Sequence, residues 1–224
     1  MTGFLLRADD ILRRRTRAVE AGGVPSALGS LAVNVLVFGM IYGAVLGTFG
    51  GVAGERIWQV IYAAVKVPML LIVTFLIGLP SFFVLNTLLG LRRDFAEAIR
   101  ALVATQAGLA IVLASLAPLT AVWYASSGSY AAALRFNLLM FALASFGAQG
   151  LLRGYYRPLI RRNRRHRWML WTWLVIYAFV GVQMAWTLRP FVGAPDMDVQ
   201  FFRREAWGNA YVVVADLIRG LFSK

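Results

Sequence analysis

Phe38-Gly39-Met40-Ile41-Tyr42-Gly43-Ala44-Val45-Leu46-Gly47-Thr48-Phe49-Gly50-Gly51 carries a glycine at every fourth residue from Gly39 to Gly51, inside a stretch too apolar for an ordinary loop. In water such a helix is poor, because each interior glycine costs about 1 kcal/mol against alanine. In a bilayer the same spacing has a use. Glycines four apart let two helix backbones approach closely, and packing replaces the hydrophobic drive that lipid does not supply. On a helix of 3.6 residues per turn this row drifts by about 40° per step, which suits a crossing helix near about −40°. Gly39, Gly43 and Gly47 are the expected centre of the contact, with Gly50 and Gly51 extending it. The partner is a helix of another protein or one within this chain, the small-residue third span being the choice within the chain.

Composition points the same way. The chain has 224 residues, of which 60% are hydrophobic and 15% charged, with a mean hydropathy of +0.69. Soluble domains are closer to half apolar and a quarter charged. There is no cysteine, which excludes disulfides, thiolate metal sites and cysteine nucleophiles, and His166 is the single histidine, which excludes a histidine-rich metal cluster. The net charge of +13 has to be placed relative to a membrane before it says anything about partners.

Residues 1–25 carry Arg13-Arg14-Arg15 and Arg17 behind Asp9 and Asp10, and Phe4, Ala8, Ile11 and Leu12 fall at helical spacing. This pattern predicts a short basic amphipathic helix at a membrane surface. It reads against a signal peptide, since the basic region is long, the apolar run that follows is too long, and no clear small-x-small site comes after it. Residues 26–188 hold five apolar stretches: 26–49, 68–89, 101–124, 130–152 and 168–188. The first is long enough, at about 1.5 Å per residue, to cross a hydrocarbon core of about 30 Å. Val52 to Lys66 reads as interfacial, with Trp58 and Tyr62 suited to the headgroup zone. Trp168, Trp171, Trp173 and Trp186 bracket the fifth stretch as an aromatic belt. The expected fold is therefore an all-α polytopic integral membrane protein, a five-helix bundle with interfacial segments at both ends. In residues 189–224 the pattern from Phe201 onward reads as an interfacial helix or a segment folded over the bundle, with a strand through Tyr211–Val214 as the alternative.

With five spans, fifteen of the 23 Lys and Arg residues fall on the side of the N-terminus and seven on the other, with Arg135 inside a span. The positive-inside rule then puts the N-terminus and the loop 153–167 in the cytoplasm and the C-terminal tail outside. The expected location is the inner (cytoplasmic) membrane of a bacterium. Arg161, Arg162, Arg164, Arg165 and Arg167 in the most basic loop are expected contacts for anionic lipid, each worth about 1 kcal/mol. No nucleic-acid partner is expected; the charge serves orientation.

Few groups could carry chemistry. No Asp or Glu lies within the five stretches, so a carboxylate relay, paired acids for acid–base catalysis and a Ser/His/Asp set are all missing from the membrane. The chain is expected not to be an enzyme and to hold no cofactor, though a bound lipid is compatible with it. Asn34, Gln106 and Asn137 are expected to bond between helices at about 0.6 kcal/mol each. Arg135 is expected to snorkel outward, or to serve an anion or an acid of the tail. Arg189, Phe201, Phe202, Arg203 and Trp207 mix the side chains favoured at interfaces and are candidate docking residues for a partner.

The five spans, basic N-terminal segment, short loops and Gly39/Gly43/Gly47 spacing resemble the Yip1-type family of small membrane proteins over about residues 26–188. The Asp-Leu-Tyr-Gly-Pro signature of that family's eukaryotic members is not in the chain. The resemblance implies a scaffold that packs with itself or with other membrane-protein subunits. The expected function is thus a non-enzymatic scaffold or accessory subunit. A channel or small-solute transporter lined by Asn34, Gln106, Asn137 and Arg135 is the alternative.

Overall fold

Helices in this protein run past the apolar stretches that announce them. The computed structural model describes residues 2–13, 24–194, 197–203 and 211–212. Among these residues there is no strand. Six helices follow in order: α1 (Thr2–Leu12), α2 (Val24–Gly47), α3 (Ile57–Leu88), α4 (Phe95–Ser126), α5 (Tyr130–Arg162) and α6 (Arg165–Leu188). Single 3-10 turns at Gly54–Arg56 and Arg92–Asp94 lead into α3 and α4. Helices α2 to α6 are each long and apolar enough to cross a membrane. The chain is an all-α, five-span integral membrane protein.

Helix ends are set by caps, whereas the apolar stretches only mark how much helix faces lipid. Helix α3 starts at Ile57 rather than Pro68 and passes through both Pro68 and Pro80. It stops where Gly90, at φ 72°, lets the Leu91 N–H bond the Asn86 carbonyl and the Gly90 N–H bond that of Thr87, the hydrogen-bond pair of a Schellman terminus. Helix α5 is opened by the Ser129 side chain, which accepts from the Ala132 N–H. It continues to Arg162, so the expected basic loop 153–167 is helix on both sides of a turn at Asn163-Arg164.

The glycine row finds its partner inside the chain, on the second membrane helix and not the third. Along α2 and α3 the pairs are Gly39 with Pro68, Gly43 with Ala63 and Ala64, and Gly47 with Gln59 and Val60. One row ascends by four while the other descends by about four, so two i±4 ridges meet in an antiparallel pair. The approach is closer than any side chain allows. A Cβ on Gly43 would collide with the Ala63 carbonyl and lie 2.8 Å from the Ala64 Cα; one on Gly47 would lie 2.5 Å from the Val60 Cα. Gly50 and Gly51 do not belong to this contact. They are exposed and have φ of 87° and 101°, a backbone that L side chains rarely adopt and that the reversal into α3 requires.

Helix α4 is the middle of the bundle, with 61% of its most apolar stretch buried, against 28% for α5 and 17% for α6. Helix α1 packs on α4 and α5 rather than lying free: Ala8 and Ile11 are buried, and the Tyr155 hydroxyl donates to the Ile11 carbonyl at 2.7 Å. Leu12, expected on that buried face, is exposed. Arg14, Arg15 and Arg17 lie outside the described residues.

The ridge predicts opposite signs for one substitution at two sites. Gly43→Ala is expected to destabilise the isolated chain by about 1–3 kcal/mol or more, since both sides of the clash are backbone. Gly147→Ala, with nothing within 4 Å of its Cβ, should be neutral or stabilising by up to about 1 kcal/mol. Thermal unfolding in detergent followed by circular dichroism measures both.

Candidate functional site

The first turns of α3 and the residue that precedes them carry three donors on one face. Arg56, Gln59 and Lys66 are spaced three and seven apart, close to whole turns of helix. Each donates to a carbonyl of one extended segment. Arg56 Nη1 bonds Ala194 O at 2.8 Å, Gln59 Nε2 bonds Phe191 O at 3.2 Å, and Lys66 Nζ bonds Pro190 O at 2.8 Å. The Tyr130 hydroxyl donates to Val192 O at 3.5 Å. Residues 189–194, which begin with a cis Arg189-Pro190 peptide, thus form a strap across one end of the bundle. Its carbonyls are capped by side chains in place of a ladder, as buried backbone requires.

Lys66 is the deepest of these anchors, at 0% exposure. Among the described residues no carboxylate reaches it within salt-bridge distance. A buried ammonium without a counter-ion is costly, and two neutral groups offset the cost: the Pro190 carbonyl and the face of Phe201, whose centroid is 4.9 Å from Nζ. Phe201 stands edge-on to Tyr62 at 5.2 Å, and Gly193 lies so close to Gln59 that a Cβ would be 2.8 Å from Cγ.

Three of the expected partner-docking residues therefore face their own chain. Phe201 covers Lys66 and Tyr62, Arg203 reaches the Tyr130 hydroxyl at 3.4 Å, and the Arg189 guanidinium stacks 3.4 Å from the Trp186 centroid. Phe202 is exposed, and Trp207 lies outside the described residues. Tyr211 and Val212 are helical rather than part of a strand, and Tyr211 stacks on Phe179 at 4.4 Å.

Beneath the strap lies a cavity of about 800 Å³. Leu70, Leu71 and Thr74 of α3 and Leu102, Thr105, Gln106 and Leu109 of α4 form its back. Leu134, Asn137, Leu138 and Ser145 of α5 and Trp173, Tyr177, Ala178 and Val182 of α6 form its sides, and Arg189 to Val192 with Arg203 form its roof. From Trp173 to the strap the α6 wall runs for roughly 22 Å at 1.5 Å per residue, longer than the roughly 15 Å of one leaflet's hydrocarbon. Helices α5 and α6 scarcely touch. Leu138 and Val182 both line the cavity and stay 72% and 47% exposed, which places a lateral opening between these two helices.

The walls are apolar, with a few buried polar groups. The Tyr177 hydroxyl donates to Gln106 Oε1 at 2.8 Å, tying α6 to α4. Asn137 Nδ2 donates to Ala133 O at 2.8 Å and to the Tyr124 hydroxyl of α4. Thr74 and Asn137, each more than nine-tenths buried, leave Oγ1 and Oδ1 without a partner among the described residues. Among the described residues no Asp or Glu lines the cavity, whereas two arginines do.

Asn34 and Arg135 stand apart from this site. Asn34 does not bond between helices: its Nδ2 donates at 2.8 Å to Ser30 O of its own helix, where the i−4 carbonyl is nearest. Arg135 is exposed, and its Nε donates back to Ala131 O at 3.3 Å, toward the strap end. At the opposite end Arg162 bridges Asp94 at 2.8 Å and Glu97 at 3.0 Å, and Arg165 bonds Leu89 O at 3.1 Å. His166, fully buried, meets the other Asp94 oxygen at 3.0 Å. Arg162 and Arg165 thus join the two turns of that end, while Arg161, Arg164 and Arg167 remain exposed there.

Comparison with protein-family models, with curated proteins and with solved structures finds no match to this chain. Its class rests on the fold and the site: a five-span helical membrane protein enclosing a strap-roofed cavity.

Lys66→Ala removes both a charge-assisted strap bond and the cation under Phe201. Charge-assisted bonds contribute roughly 1.5–3 kcal/mol, so proteolytic cleavage within residues 190–203 is expected to speed up by about tenfold or more, with helix content unchanged by circular dichroism.

Proposed function

We propose that the chain binds a lipid-type amphiphile inside the membrane and acts through that binding, without catalysis. The observation that carries this reading is the cavity itself: a long, mostly apolar slot of about 800 Å³, open sideways where only lipid has access, with a few polar groups along its walls. Ligand sites of comparable volume, mostly apolar with a few placed polar groups, are the common form of small-molecule pocket. Lateral assembly through the glycine row loses its support, because α3 already covers Gly39, Gly43 and Gly47. Aqueous conduction fits less well than amphiphile binding, since the wall is mostly apolar and Gln106 and Asn137 are engaged between helices.

The orientation follows from the distribution of cations. The end holding Asp94 and Arg162 also carries the exposed Arg161, Arg164 and Arg167 and faces the cytoplasm; the strap end faces outward. An amphiphile in the slot would then have its polar end in the outer leaflet.

Filling the slot tests the reading. Ala178→Trp and Ser145→Trp place indoles in the cavity at exposed positions. They should reduce the amphiphile retained by the purified chain about tenfold or more, as read by native mass spectrometry, while the unfolding midpoint stays near that of the parent. Retention at the parent level in both variants would overturn it.

A further inference from the structure

The roof of the slot is a thin wall between two cavities. Arg189 to Val192 and Arg203 form that roof from below. At the other face of the same segment lies a second pocket, of about 270 Å³, lined by Arg56, Gln59, Gly193 and residues 197–200 among others. Pro190 and Arg203 line both. At these two residues a single layer of chain separates a slot open to lipid from a pocket at the strap end of the bundle.

This wall differs from every other boundary of the slot. The sides are helices, and the far end is shut by the interlocked rings of Trp173, Phe75 and Phe82. Residues 189–194 and 197–203 form neither helix nor strand, so no ladder of backbone bonds has to break at once. Two backbone bonds along this stretch, Arg189 N–H to Trp186 O at 3.4 Å and Met197 N–H to Ala194 O at 3.3 Å, exceed the usual upper length of about 3.2 Å. Arg203 reaches Tyr130 Oη at 3.4 Å and Met197 Sδ at 3.8 Å, again long. The strap carbonyls are held by side chains of Arg56, Gln59, Lys66 and Tyr130, which can let go while their helices stay in place. Lys66 also offsets part of the loss. Its buried ammonium carries a desolvation cost, and water admitted by a lifted strap relieves it. Closed and lifted forms are thereby drawn together in free energy, the condition under which a ligand can bias one of them.

We propose that the strap is a gate, which parts at Pro190 and Arg203 and passes an amphiphile between the lateral slot and the outer face of the membrane. The inference rests on the amphiphile reading above and adds a route to it. Lipid enters sideways between α5 and α6 and leaves, or arrives, under the lifted strap. The chain then moves single lipid-type molecules between the outer leaflet and an acceptor at that face. Such transfer is slow without help, because every buried methylene holds a chain in the bilayer.

The test uses the absence of native cysteine. A Cβ on Gly193 would lie 2.8 Å from Gln59 Cγ, so the double variant Gln59→Cys with Gly193→Cys brings two sulfurs within disulfide reach and staples the strap to α3. Donor vesicles of phosphatidylcholine carry the full-length chain and a trace of long-chain fluorescent phosphatidylcholine, and the readout is the rate at which fluorescence reaches protein-free acceptor vesicles. The parent chain should raise that rate about fivefold or more over vesicles without protein. Oxidising the double variant should remove the acceleration and reductant should restore it, while Lys66→Ala should raise the rate further, about threefold. Lipid retained by each sample is read by native mass spectrometry. Acceleration that survives the staple would overturn the gate, as would retained lipid with no acceleration; both leave the amphiphile reading standing. Neither retention nor acceleration would overturn both. A second measurement does not depend on the staple. Leu71→Cys puts a thiol at a buried, cavity-lining position, about 7 Å below Lys66 along α3. In nanodiscs a membrane-impermeant maleimide should label it, and about threefold faster with Lys66→Ala added. No labelling in either background would overturn the gate.

Discussion

The contact between α2 and α3 is the one on which the other features depend. Gly43 and Gly47 allow backbone-to-backbone approach, and this brings Gln59, Val60 and Ala63 against α2 rather than a side-chain diameter away. Once α3 is seated there, its donor face is aimed across the end of the bundle. Gln59 shows the linkage in one residue: its carbonyl lies against Gly47, its amide bonds Phe191 O, and its side chain forms the bed for Gly193. A wider spacing between α2 and α3 would shift Arg56, Gln59 and Lys66 together, and the strap carbonyls would lose their donors as a set. In lipid, where dispersion and interhelical polar bonds must do the work of the hydrophobic effect, a backbone-close pair is a sound foundation for such a set.

The remaining helices show the reverse arrangement. Helices α5 and α6 each have a firm neighbour, α4 for one and α3 for the other, and almost no contact with each other. Gln106–Tyr177 ties α6 back to α4 at mid-depth, and Asn137–Tyr124 ties α5 to α4 near the strap end. Trp173, wedged among Phe75, Phe82 and Tyr177, closes the far end of the gap, and the strap closes the near end. The cavity is thus bounded by packing at both ends and open only at its side. A lipid held in such a site would gain little from burying its hydrocarbon chain, because the chain leaves one apolar surroundings for another.

How much of this is legible in the sequence depends on the kind of signal. Apolar length shows five crossings, since nothing else produces five such runs in a chain of this size. The glycine spacing shows that a backbone must come close to α2, but spacing has no address: Ala104, Gly108 and Ala110 of α4 are as small as Ala63 and Ala64 of α3. The strap was within reach. Arg56, Gln59 and Lys66 form a polar stripe at helical spacing, yet they sit in a segment whose Trp58 and Tyr62 suggest an interface, where polar residues attract no notice. The cavity is out of reach. It exists because α5 and α6 touch at few places, and sparse contact leaves no periodicity to read. Gln106 and Asn137 were visible as polar groups in apolar helices, but Thr74 and Tyr177 look like ordinary members of a membrane span.

The charges at the strap end make a separate point about why they are there. With the proposed orientation, Arg56, Lys66, Arg189 and Arg203 lie on the side from which the positive-inside rule removes cations. Orientation therefore gives no reason for them, and each must answer to something local. For Arg56 and Lys66 the local reason is visible: each holds a strap carbonyl at 2.8 Å. Arg189 and Arg203 line the cavity, one stacked on an indole and the other touching a phenol and a thioether. The strap is thus fixed from one side by Arg56, Gln59 and Lys66 and from another by Tyr130 of α5.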